Sequence, residues 1–168
     1  MSFFLLVIGV LKTSTSNKYL RSWSLLSASI LLGLLPAFAT LGEAVSSVQA
    51  DQAHIQATQN ITQKSAYSIH ELKSASGMAV REYVSPGGKV FAVAWHGPFM
   101  PDLKQLLGSH FQEYRQALQG QDQRARRGPI LVQLPDLVVQ LGGHMRDFAG
   151  RAYLPDQLPS GVSAEEIR

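Results

Sequence analysis

Cysteine is absent from the 168 residues. That excludes disulfides, thiolate zinc sites, iron–sulfur clusters and cysteine nucleophiles together, and it leaves an exported form of the chain to be held by its core alone. A cationic surplus is also missing from most of the chain. The formal net charge is +3 and the pI about 9.3, yet Lys12, Lys18 and Arg21 are the only charged side chains before Thr40. Without those three, the 15 basic residues fall to 12, equal to the 12 acidic ones. A protein that neutralises phosphates needs excess Lys and Arg on one face, so nucleic acid is not an expected partner. Catalytic signatures are scarce too. There is no G-x-S-x-G elbow and no H-x-x-x-H or H-E-x-x-H pair. Ser85-Pro86-Gly87-Gly88 lacks the Lys-Ser/Thr ending of a phosphate-binding loop, and Glu165 and Glu166 lie in a tail, a poor setting for paired-carboxylate chemistry. No internal repeat or long low-complexity tract is present.

The front of the chain is apolar. Phe3 to Leu11 is too short to span a bilayer, which takes roughly 20 residues. A second run, Ser24 to Leu35, follows the basic stretch "NKYLRSW" and precedes Pro36 and Ala37-Phe38-Ala39. A basic segment, an apolar segment, a helix breaker and a small-x-small site together read as a signal peptide, cut after Ala39 with Ala37 and Ala39 as the recognition residues. The alternative is a retained membrane anchor. On the first reading, residues 1–39 are a leader with an extended front end, residues 40–168 form one domain, and the membrane is met only through the leader before cleavage. Residues 1–17 exceed what a signal needs, which leaves the true translation start open.

The remainder alternates between helical and extended patterns. Leu41, Val45, Val48 and Ile55 fall on one stripe and predict an amphipathic helix over about 43–58, with Glu43, Ser47, Asp51 and His54 on the solvated side. Tyr67 to Lys73, Met78 to Val84 and Lys89 to Trp95 predict three strands joined by the turns "SASG" and "SPGG". Val90 to Trp95 is apolar throughout, as suits a central strand buried on both faces. Connections this short favour an antiparallel meander. Leu103, Leu106, Leu107, Phe111, Tyr114 and Leu118 predict a second helix from Asp102 to Gln119, capped by Gly120. "QDQRARRGP" reads as a solvated loop; the rival reading is an anion-binding or membrane-surface patch at Arg124, Arg126 and Arg127. Ile130 to Leu134 and Leu137 to Leu141 are further strands. Gly142-Gly143 predicts a hairpin turn into a return strand from His144 to Leu154, with Gly150 as a bulge. Ser163 and Glu166 fit a capping box. The fold class is therefore α+β: a small antiparallel sheet, a three-strand meander plus a C-terminal hairpin, packed by two amphipathic helices.

The stretch "AWHGPFMPDL" concentrates an indole, an imidazole and a carboxylate within residues 94–103. A strand, a corner and a helix start account for it, since Pro101 and Asp102 both suit a first helical turn. The five histidines, His54, His70, His96, His110 and His144, show no metal-ligand spacing, and a site would have to assemble from distant elements. Trp95, His96, His144 and Asp147 meet if the last hairpin packs beside the third strand. With Arg146 these make the candidate binding set: Trp95, His96, His144, Arg146 and Asp147. No catalytic residue, metal ligand or cofactor is assigned.

The blocks "REYVSPGGKVFAVAWHGP", "PDLKQLLG", "GGHMRDFAGRAYLP" and "GVSAEEIR", in that order, resemble an exported bacterial family known only as domain of unknown function 2844. The resemblance runs from about Thr40 to Arg168. It implies a small periplasmic or secreted protein and no activity. The expected function is an exported binding or interaction module, its partner an envelope protein or a small ligand. The alternatives are a periplasmic hydrolase or metal-dependent enzyme with a site near His96 and His144, and a structural component of the envelope.

Overall fold

Short connections and alternating side chains build one continuous sheet. In the computed structural model, the described residues are 41–120 and 128–168. The leader, its Ala37 and Ala39, and the arginines of the 124–127 loop lie outside them. Helix α1 (Ser47–His54) leads into β1 (Ala57–Gln63), β2 (Ser68–Ser74), β3 (Ala79–Val84) and β4 (Val90–Gly97). Two short helices follow, α2 (Leu103–Leu107) and α3 (Phe111–Gly120), and then β5 (Ile130–Gln133), β6 (Val138–His144) and β7 (Asp147–Tyr153). The seven strands lie in the order β1-β2-β3-β4-β7-β6-β5, every neighbour antiparallel. β4 sits at the centre with four of its residues, Val90 to Val93, at most 1% exposed.

The α+β class and the antiparallel sheet agree with the expectation, but the sheet is larger and continuous, because the last hairpin docks on the meander through β4–β7. Four local readings are corrected. The first helix is half the expected length, and Ala57 and Thr58 already belong to β1. Thr58, Ile61 and Thr62 are β-branched and prefer the pleated surface of a strand. The helix also turns a different side inward: Ser47, Val48 and Asp51 are buried and Val45 is exposed. The second helix is broken, with a 3₁₀ turn over Gly108–His110 between α2 and α3. Gly108 stands at φ +51° there, a conformation that glycine adopts without cost. The last hairpin turns three residues later than expected. Gly142 and Gly143 stay in β6, and the two-residue turn is Met145-Arg146 between the paired His144 and Asp147, with Arg146 at φ +71°. Gly150 is no bulge: β7 pairs in unbroken register on both sides of it.

The sheet separates two cores. One face carries Leu72, Val80, Val93, Trp95, Val139 and Leu141, covered by Val48 of α1, Leu106 and Leu107 of α2 and Tyr114 of α3. The other carries Tyr67, Tyr83, Phe91, Ala92 and Ala94, covered by Ile167 from the tail. The expected capping box holds that tail in shape. Glu165 N–H donates to Ser163 Oγ, and Ser163 N–H donates to Glu166 Oε1 at 3.0 Å.

Candidate functional site

Pairing fixes which side chains can meet. β4 and β7 register His96 opposite Ala149 and Ala94 opposite Arg151, and β6 adds Gly142 and Gln140 to the same two rows. These residues therefore share the tail-covered face. The small residues of the first row leave room above the backbone, while Leu131 of β5 stands half exposed at one side. The result is an open trough of about 650 Å³, walled on the other side by Ile167 and Arg168. A second hollow of about 180 Å³ lies on the far side of Arg168, lined by Glu71, Lys73, Arg81 and His96 among others.

The tail between the two hollows is gripped through its backbone. Arg81 Nη1 donates to the Arg168 main-chain oxygen at 2.7 Å, and Tyr83 Oη–H donates to the same oxygen at 2.8 Å. Arg151 Nη1 donates to the main-chain oxygens of Ala164 and Ile167, and its Nε donates to Gln140 Oε1. Tyr67 donates to Glu166 at 3.1 Å. Burial, and then the Glu166 carboxylate at its hydroxyl, raise the Tyr67 phenol above its usual value. Glu166 itself is held below the usual carboxylate range, first by the Ser163 backbone N–H and then by Tyr67.

At the end of the trough the last hairpin brings three of the sequence candidates together. His96 Nε2 lies 2.7 Å from Asp147 Oδ1, and His144 Nε2 lies 3.5 Å from Asp147 Oδ2. The trio is open to water, with His96 68% and His144 79% exposed, so each pair contributes at most about 1 kcal/mol. Arg146 is at the exposed tip of the β6–β7 turn. Trp95 is not part of the trio. Its side chain points to the helix-covered face, 3% exposed, with its indole lying over Gly150 where a Cβ would collide with it. The geometry supplies a base and an orienting carboxylate in His96 and Asp147. Hydrolysis also needs a nucleophile at the imidazole's other nitrogen, and among the described residues the hydrogen bond of His96 is the one from Nε2 to Asp147.

Sequence reasoning missed a pair of acids under α1. Glu82 faces the helix side of β3 and is 1% exposed; no N–H donor reaches its carboxyl oxygens among the described residues, and its hydrogen-bond neighbour is the Asp51 carboxyl. Burial, and then the negative charge of Asp51, push its carboxyl up to about 9. Asp51, 3% exposed, is raised as well, chiefly by burial, and accepts a hydrogen bond from Gln105 Nε2. A signal existed in the placement of Glu82 between Val80 and Val84 on an otherwise apolar face. Asp51 gave none, because it sits on the side of α1 that the apolar spacing assigned to solvent.

The family model for proteins of unknown function (DUF2844) matches residues 37–167. The chain belongs to that family. The match takes in every described strand and helix, together with the trough and nearly all of the tail that walls it. No curated protein and no solved structure matches the chain.

Proposed function

We propose that the chain is a small binding module, exported to the periplasm or the medium, whose ligand is a carboxylate-bearing molecule with an apolar body, seated in the trough between the tail and β5. The observation that carries this reading is the trough itself. At about 650 Å³ it falls in the range of small-molecule sites, roughly 300–1,000 Å³. Its lining complements such a ligand in charge: His96, Arg151 and Arg168 supply cationic or protonatable groups, and the Asp147 carboxylate at its end is paired with His96. Leu131, about half exposed, and Pro129 supply apolar area. Export rests on the leader read from residues 24–39, and N-terminal sequencing of the mature product checks it; an intact Met1 overturns that part.

The binding test uses anilinonaphthalene sulfonate and a series of straight-chain fatty acids as probes of an apolar anion site. Gly142 is on the trough floor, and a Cβ added there meets nothing within 4 Å, so Gly142→Phe fills the trough without touching either core. The expected result is saturable binding by the full chain and its loss in Gly142→Phe, with unchanged thermal unfolding. Absence of binding at millimolar probe, or binding indifferent to the filled trough, overturns the reading.

A further inference from the structure

We propose that His110, Glu113 and Asp136 form a second site, away from the trough, that binds one divalent transition-metal ion of the zinc class. One ligand atom from each of the three lies within 4.8 Å of the other two. They come from three parts of the fold: His110 ends the 3₁₀ turn after α2, Glu113 is in the first turn of α3, and Asp136 sits in the turn between β5 and β6. The three-residue spacing of His110 and Glu113 puts imidazole and carboxylate on one side of a helix, an arrangement that helical metal sites use.

The imidazole supplies the observation that asks for a ligand. His110 Nδ1 is enclosed and makes no hydrogen bond among the described residues, a costly state for a polar atom. Its neighbour Glu113 Oε2 is 3.5 Å away. That is too long for a good hydrogen bond. It matches the separation of two ligands on one tetrahedral ion, about 3.4 Å for bonds of about 2.0–2.2 Å. The other edge of the ring, Nε2, faces Gly42, where a built Cβ would stand 3.5 Å from it. One nitrogen and two carboxylates, with no sulfur, suit zinc, cobalt or nickel; calcium and magnesium take oxygen ligands. Glu113 and Asp136 are exposed, which gives the ion an entry path and leaves coordination positions for water. Bound there, the ion ties α3 to the β5–β6 turn.

The test is isothermal titration of the EDTA-stripped full-length chain with zinc chloride, repeated with cobalt chloride while the visible absorption of bound cobalt is followed. The expected result is one equivalent of zinc, a raised melting temperature and a cobalt band. His110→Ala removes all three. Because His110 is partly packed, the exposed-carboxylate variants Glu113→Gln and Asp136→Asn provide the arm that leaves folding intact, each weakening zinc by at least about 10-fold. His96→Ala with His144→Ala leaves binding unchanged. No heat at millimolar zinc, calcium or magnesium binding as tight as zinc, or zinc binding that survives the double Glu113→Gln and Asp136→Asn change overturns the proposal.

Discussion

The two faces of the sheet are covered by different means. Helices cover one. A helix satisfies its backbone internally, so it asks the sheet only for apolar side chains, and Val80, Val93 and Trp95 meet Val48, Leu106 and Leu107. The tail covers the other, with a 3₁₀ turn at Ala164–Glu166. The main-chain oxygens of Ile167 and Arg168 lie beyond that turn and need donors, which Arg81, Tyr83 and Arg151 supply. The cover therefore dictates the charge beneath it. Cations sit on the tail face because carbonyls need them, while the helix face buries two acids, Asp51 and Glu82. The tail also reaches across only part of its face, and the uncovered part is the trough.

The largest expected effect breaks the helix-covered face. Trp95→Ala removes the indole that fills the space over Gly150 and destabilises the fold by about 3–5 kcal/mol, read as a lowered denaturant midpoint with unchanged slope. A loss under about 1 kcal/mol would mean that the helix face does not depend on this packing.

Ile167→Ala is the matching break on the tail face. The side chain is fully buried among Tyr83, Phe91 and Ala94, but the tail is a peripheral segment, so a cost near the low end for such truncations, about 2 kcal/mol, is expected. The loss should be local. Hydrogen exchange of the amides in 163–168 should accelerate while those of β4 keep their protection. Uniform acceleration across the sheet would show that the two faces are not separable units.

What could be read from the sequence follows the same division. β2, β3 and β4 show themselves through alternation and through turns rich in Ser, Pro and Gly, and the central place of β4 follows from its unbroken apolar run. β1 was hidden because Ala57 to Gln63 is an exposed edge strand with few apolar residues, so no alternation marked it. The helix break was hidden because Leu103 to Leu118 keeps helical spacing across Gly108. His96, His144 and Asp147 meet because the last hairpin does pack beside the strand that carries His96. Trp95 parts from them because adjacent residues on a strand face opposite ways. The trough was not legible, since it is made by where the tail stops and by which glycines lie under it, and both depend on the β4–β7 pairing of distant segments.

The smallest effect per step sharpens the comparison through pH. Glu82 has its carboxyl raised from 4.5 to about 9 by burial and by Asp51, so the folded chain keeps a proton that the unfolded chain releases. Its contribution is fully present below pH 4.5, falls as pH rises, and is lost above about 9, with a steepest slope of about 1.4 kcal/mol per pH unit. Asp51 has the same sign. His70, which is lowered by burial, has the opposite sense: its contribution is lost as pH falls below its unfolded value near 6.5. Between pH 7 and 9 the Glu82 slope is therefore read with little interference from it. Glu82→Gln keeps the shape and removes the charge. Denaturant midpoints across that window should fall with pH in the parent and stay level in Glu82→Gln. Equal slopes would show that Glu82 is ionised in the folded chain at neutral pH, and that the helix face tolerates buried charge as the tail face does.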